Sequence, residues 1–277
     1  MSHLAACVQM RSGIDRAKNV QDAMALINDA ADQGATFVVT PEMTNVLDQN
    51  PKRLFSHLTG EDETSEVGAF AEIAAQRQIW LLIGSMAIRA DERRAHNRSY
   101  LFSPAGKVAA TYDKIHMFDV ALPDGETWSE SKVYQPGTCA VTVQTPFGVL
   151  GLTICYDVRF PGLYRGLAQS GAQILCVPAA FTKQTGKAHW ETLLRARAIE
   201  NGAFVIAPNQ GGLHEDGRET YGGSLIIGPW GDVLARAEND EPGVILARLE
   251  LDHAIQARAS IPNLALEPGY KILNVKV

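Results

Sequence analysis

Cysteine is scarce in this chain: it occurs at Cys7, Cys139, Cys155 and Cys176 only, with no close pair among 277 residues. That spacing supports neither a disulfide framework nor a zinc site, and it suits a reducing cytoplasm. Blocks of Lys or Arg are absent too, and 25 basic residues against 31 acidic ones leave a formal charge of -6. Nucleic acid and anionic membrane are therefore poor partners. The first ten residues lack the basic region and long apolar stretch of a signal peptide, and no apolar run is long enough to span a membrane. Gly-x-Gly-x-x-Gly, His-Glu-x-x-His, Cys-x-x-Cys and Gly-x-Ser-x-Gly are all missing. A phosphate loop is missing as well, since Phe181 stands where its first glycine would precede Gly186-Lys187. The expectation is no cofactor and no metal. Without a Pro/Gly/Ser-rich linker or a repeat, residues 1–277 read as a single domain, with 251–277 as a tail.

The residues that are present describe an ordinary globule, 46% hydrophobic and 20% charged. Apolar strands alternate with amphipathic helices. Leu4–Met10, Phe37–Thr40, Ile79–Gly84, Val149–Ile154, Ile174–Pro178 and Phe204–Pro208 read as buried strands. Asp15 caps a helix that Gly34 closes, and Ser65 caps one over Glu66–Gln78. Pro161–Ser170 and His189–Glu200 complete the helices, and Gln49–Glu63 reads as polar loop. Hairpins are expected over 97–112, 139–155 and 224–237, and a last strand over Val244–Leu251. The class is α/β with a mixed sheet.

Three chemistry-bearing residues sit just beyond strands: Glu42, Lys114 and Cys155. Each has an ordinary explanation. A buried cysteine commonly only packs, and a lysine or glutamate at a strand end is commonly solvated. A nucleophilic thiol needs a base or a positive charge close by. Glu42 could supply the first and Lys114 the second, which allows a Cys-dependent hydrolase without deciding for one.

The strings around these residues carry more. Pro41-Glu42-Met43, Lys114-Ile-His-Met-Phe-Asp-Val120 and Ile154-Cys155-Tyr-Asp-Val-Arg-Phe-Pro161 resemble the three catalytic motifs of the nitrilase superfamily, in that family's order. The likeness continues through Val177–Phe181, Ala188–Glu191, Leu194–Glu200, Tyr221–Ser224 and Pro229–Gly231. It implies a four-layer α-β-β-α sandwich that dimerises through its outer helices. It implies Cys155 as nucleophile, Glu42 as general base and Lys114 beside the developing oxyanion, with the backbone N–H of Tyr156 as a second donor. A further family glutamate matches Glu130, with Glu126 as its rival in the same loop.

The amidase branch, whose substrates are small ω-amides of dicarboxylic compounds, fits Cys155-Tyr-Asp-x-Arg-Phe160 best. Deaminated glutathione comes first among the implied substrates and α-ketoglutaramate second. A nitrile hydrolase would carry Trp-Glu where this chain has Tyr156-Asp157, and a carbamoyl-amide hydrolase fits less well for similar reasons. A non-catalytic scaffold has no need of the intact trio. Anionic substrates call for local cations, with Arg159 ahead of Lys183 and Arg218, and Phe181 and Thr182 lining the pocket. His116 and His189 read as structural. Arg159 has an alternative role in an ion pair with Asp157 or Asp119. One departure from the branch is the segment Ile261–Tyr270, which holds no arginine where its relatives are basic.

Overall fold

Two six-stranded sheets stack face to face, each built around three parallel strands. The computed structural model describes residues 3–60, 65–122, 125, 127–266, 269 and 271–275. In the first sheet β1 (His3–Gln9), β2 (Phe37–Val39) and β3 (Trp80–Arg89) run parallel. Antiparallel β4 (Ala95–Phe102) and β5 (Val108–Asp113) extend it on one side, and β16 (Gly243–Leu249) closes the other. In the second sheet the parallel strands are β9 (Gly148–Leu152), β10 (Ile174–Cys176) and β11 (Phe204–Ala207). Its flanks are β8 (Val141–Thr145), β14 (Leu225–Ile227) and β15 (Val233–Arg236).

Period-2 alternation sorts the side chains between layers. On β1 and β2, Ala5, Cys7, Phe37 and Val39 point between the sheets, where they meet Phe147, Leu150 and Leu152. Ala6, Val8 and Val38 face the other way, onto Ala23 and Ile27 of α1 (Arg16–Asp32) and Phe70 and Ile73 of α3 (Ser65–Arg77). The second sheet is covered by α4 (Pro161–Gln169) and α5 (Lys183–Asn201) through Tyr164, Leu167, Trp190 and Leu194. Helix, sheet, sheet and helix make the four layers.

The helix ends follow local chemistry. The Asp15 carboxylate accepts the Lys18 N–H at 3.1 Å, and Gly202 (φ +51°) ends α5 in the left-handed conformation glycine tolerates. Three segments depart from the sequence reading. The loop expected over Gln49–Glu63 contains α2 (Pro51–His57), whose seven residues bury only Leu54, too little to show as periodicity. Its cap Asn50 accepts the Arg53 N–H at 3.1 Å. Residues 61–64 lie outside the described residues. Helix α5 begins six residues earlier than expected, and α6 (Asp252–Ser260) follows the last strand. Two short hairpins were also unforeseen: β6 (Asp119–Ala121) with β7 (Thr127–Ser129), and β12 (Gly211–Leu213) with β13 (Glu219–Tyr221). The tail that lacks arginine is held from the other side. Arg165 donates to the Asn263 carbonyl at 2.8 Å, and Asn263 Nδ2 donates to the Glu200 carbonyl at 2.6 Å.

The carboxyl ends of the parallel strands are tied together beneath one point. Gly84 lies at a register shift of β3, and a Cβ there would stand 2.0 Å from the Thr40 carbonyl oxygen and 2.4 Å from Pro178 Cβ. Gly84→Ala is expected to lose more than about 2 kcal/mol in urea unfolding, because neither the Thr40 backbone nor the Pro178 ring can yield freely. Wild-type stability in that variant would show the contact to be loose.

Candidate active site

The loop after β2 is strapped to β3. Thr44 N–H donates to the Ser85 carbonyl at 2.8 Å, Met43 N–H to Ser85 Oγ at 2.9 Å, and Gly84 N–H to Thr40 Oγ1 at 3.0 Å. Met43 takes φ +58° directly after Glu42. Gln210 Nε2 holds the loop from the other sheet by donating to the Glu42 carbonyl at 2.9 Å. The strand-end glutamate is thus fixed and buried rather than solvated.

Cys155 opens a 3-10 turn (Cys155–Arg159) after β9 with φ +48°, a left-handed conformation costing a β-carbon residue roughly 1–2 kcal/mol. Two bonds impose it: Cys155 N–H donates to the Pro178 carbonyl at 2.8 Å, and Ile154 N–H donates to Asp157 Oδ2 at 2.9 Å. Asp157 is fully buried and also accepts the Tyr112 hydroxyl at 2.6 Å and the His116 N–H at 3.1 Å, with His116 Nδ1 at 2.7 Å. His116 therefore orients the turn, stacked on Phe160 with ring centroids 3.5 Å apart.

Lys114 follows β5 and is almost fully buried. Its Nζ donates to Glu42 Oε1 at 2.8 Å and to Glu130 Oε2 at 2.8 Å. Asn97 Nδ2 bridges the same carboxylates, at 2.9 Å to Glu42 and 3.1 Å to Glu130. Backbone donors complete the set: Ala180 N–H to Glu42 Oε2 at 2.8 Å and Phe118 N–H to Glu130 Oε2 at 2.7 Å. The Cys155 thiol and the Glu42 carboxylate are both buried, line the same cavity and shift each other's protonation. Glu42, Lys114, Cys155 and Glu130 thus form one connected cluster, and Glu126 lies outside the described residues.

The protonation states follow from burial and mutual charge. Burial alone would raise Glu42, but the Lys114 ammonium and the hydrogen bonds from Lys114 and Asn97 hold it below the usual carboxylate range. Burial would lower Lys114, but Glu130 and Glu42 push it well above the usual lysine value. Burial and the Glu42 charge both push the Cys155 thiol well up. The resting cluster is a neutral thiol, an ionised carboxylate and an ammonium.

A depressed Glu42 stabilises the fold above the unfolded carboxylate pKa of about 4.3, and that contribution is lost as pH falls through the lower folded value. The acid limb of kcat/KM for turnover that uses this base should accordingly lie below about 4.3. A limb centred above about 5 would contradict the depressed carboxylate.

The cluster opens into a cavity of about 280 Å³ lined by Phe118, Trp128, Tyr134, Phe181, Thr182 and Arg218 among others. Phe181 lies at the wall with its ring 4.8 Å from Trp190, and Thr182 Oγ1 is 2.8 Å from Thr185 Oγ1. Arg159 is not brought to the wall. Its guanidinium stacks over Tyr156 at 5.9 Å and Phe181 at 5.3 Å and faces His189 Nδ1 at 3.3 Å. The pairing with Asp157 or Asp119 weighed from sequence is not formed. Asp157 is spent on Tyr112 and His116, and Asp119 accepts the Ser131 N–H at 3.0 Å. Lys183 is paired with Glu219, away from the lining.

Sequence reasoning missed Asn97, Asp157 as an anchor, and Gln210. Nothing around Asn97 marks it in the sequence, since its neighbours His96, Arg98 and Ser99 are polar too.

With this geometry in place, likeness to known proteins becomes decisive. The family model described as "Carbon-nitrogen hydrolase" matches residues 4–259. The chain belongs to the carbon–nitrogen hydrolase family. A deaminated glutathione amidase of Synechocystis sp. (strain PCC 6803 / GT-S) is 42% identical over 95% of this chain and 97% of its own length. The Mus musculus protein of the same name is 38% identical over 94% of this chain and 81% of its own. Among solved structures, the C. elegans NitFhit protein superposes with a TM-score of 0.88 at 34% identity, covering 96% of this chain. This chain spans only 65% of that longer protein. The family makes this protein a hydrolase of carbon–nitrogen bonds other than peptide bonds, an amidase of the nitrilase superfamily. Among the described residues no helix is long and apolar enough to cross a membrane.

Proposed function

We propose that the protein hydrolyses a small anionic amide, deaminated glutathione foremost, through a thioester on Cys155. The observation that carries this reading is the buried juxtaposition of the Cys155 thiol and a Glu42 carboxylate that Lys114 and Asn97 hold ionised. Glu42 takes the thiol proton as sulfur attacks the amide carbonyl carbon. Lys114 Nζ donates to Glu42 at 2.8 Å and to both Glu130 oxygens at 2.8 and 3.0 Å, and as charge develops on the carbonyl oxygen the ammonium shares one of its Glu130 contacts with it. The Tyr156 N–H has no acceptor among the described residues and supplies a second donor. Such a donor contributes about 3–4 kcal/mol to the transition state. Glu42 returns the proton to the departing amine, leaving the acyl group on Cys155. It then deprotonates a water, which attacks the thioester and releases the carboxylic acid and the thiol. Glu130 positions Lys114 and balances its charge.

The substrate assignment is supported by the relatives named deaminated glutathione amidase and by cations at the cavity wall. The test is product formation from deaminated glutathione, α-ketoglutaramate, a simple aliphatic amide and a simple nitrile. Deaminated glutathione should lead. A lead by α-ketoglutaramate would move the assignment to ω-amidase, and inactivity on all four would sink it.

We also propose a homodimer through the outer helices, since Ile199 on α5, Trp230 and Ile255 on α6 are large apolar side chains left exposed. A cytoplasmic location fits the four unpaired thiols.

A further inference from the structure

One wall of the cavity includes side chains from two hairpins, β6–β7 and β12–β13, which meet there. Arg218, in the turn between β12 and β13, lies over the ring of Trp128 on β7, 4.4 Å from its centroid. Both line the cavity that holds Cys155. The guanidinium is poorly matched by protein. Its Nε is buried without a hydrogen-bond partner among the described residues, and so is Trp128 Nε1. The nearest carboxylate, Asp216, stands 4.0 Å from Nε. Asp216 is already engaged: Oδ1 accepts the Arg218 backbone N–H and Oδ2 the Gln49 N–H, each at 2.9 Å.

Of the other cations near the site, Lys114 is shared by two glutamates, Arg53 grips Asp48 at 2.6 and 2.8 Å, Lys183 pairs with Glu219, and Lys132 at the cavity lining is solvent-exposed rather than buried. Buried donors left unpaired are uncommon in folded proteins, and a planar guanidinium matches a carboxylate with two parallel hydrogen bonds. We propose that Arg218, held flat on Trp128, binds a carboxylate of the substrate and so sets the preference for anionic amides. The proposal rests on the amidase reading of the cavity. It assigns to Arg218 the role that proximity along the chain had suggested for Arg159.

The carboxylate could sit on the acyl side or on the amine side of the scissile bond, and the experiment separates them. Binding of valeramide, glutaramate and N-valerylglycine is measured by calorimetry on Cys155→Ala protein, with and without Arg218→Gln. Arg218→Gln should lower the affinity ratio of one anionic amide to valeramide about 10- to 100-fold, the loss expected of a charge-assisted contact. A fall for glutaramate places the carboxylate on the acyl side, and a fall for N-valerylglycine places it on the amine side. Arg218→Lys, which keeps the charge but not the fork, should give an intermediate ratio. Unchanged ratios would overturn the proposal, including the case in which all three affinities fall together because the hairpin has shifted. Failure of all three to bind, with no amide turned over by the unmodified protein, would overturn the amidase reading and this one with it.

Discussion

Cys155→Ala should lower product formation from the best amide substrate by at least about 10⁴-fold while leaving the thermal transition near that of the wild type. The activity loss follows from the mechanism, because no other cysteine reaches Glu42. Cys7 and Cys176 are buried within the sheets, and Cys139 is exposed. The small stability effect follows from the site. Removing one sulfur takes a neighbour from Glu42 but leaves that carboxylate with Lys114, Asn97 and the Ala180 N–H. Relief of the left-handed turn is not gained, since alanine at φ +48° pays the same steric cost. Retention of more than about one per cent of wild-type turnover, measured on protein free of contaminating amidase, would remove Cys155 from the chemistry.

Lys114→Met is expected to reverse that pattern by damaging the fold as well as the activity. Methionine fills much of the space but leaves Glu42 and Glu130 facing each other with Asn97 between them. Breaking a buried ion pair by removing one partner costs about 3–5 kcal/mol, and here one ammonium serves two carboxylates. The pH dependence carries the distinguishing sign. Without Lys114, repulsion and burial raise the folded-state carboxylate pKa values above their unfolded ones, so the folded variant binds more protons than its unfolded chain. Its deficit relative to wild type should therefore shrink as pH falls through the raised values, whereas wild-type Glu42 stabilisation fades only below the unfolded value. Urea unfolding of both proteins at several pH values checks this. A deficit independent of pH would mean that Lys114 acts by packing alone.

The three chemical residues were legible because each ends a recognisable strand and carries a family string on both sides. The strands themselves were legible from runs such as Phe37-Val38-Val39, whose successive side chains are buried on opposite faces of one sheet. Asn97 was not legible. It stands on β4 with solvent-like neighbours Arg98 and His96 in sequence, and only the tertiary position of Glu42 and Glu130 gives its amide a purpose. Asp157 enters the sequence reading only as one of two alternative partners for Arg159, yet the turn sends its carboxylate toward Tyr112 and His116. Arg218 stands among the candidate cations of the sequence but behind Arg159, which lies four positions from Cys155, and it is the β12–β13 hairpin that brings Arg218 to the shared cavity. Helix α2 escaped notice because one buried leucine in seven residues leaves no period to read.

The most direct test of the central claim is a rapid-quench mass measurement during a single turnover with excess enzyme. Acid-quenched samples taken through the reaction should show one acyl group, mapped by digestion to the Cys155 peptide, that appears before the acid product and disappears as it forms. An acyl group on another residue would contradict the thioester mechanism. So would complete conversion to the acid with no acylated protein at any time point in the turnover.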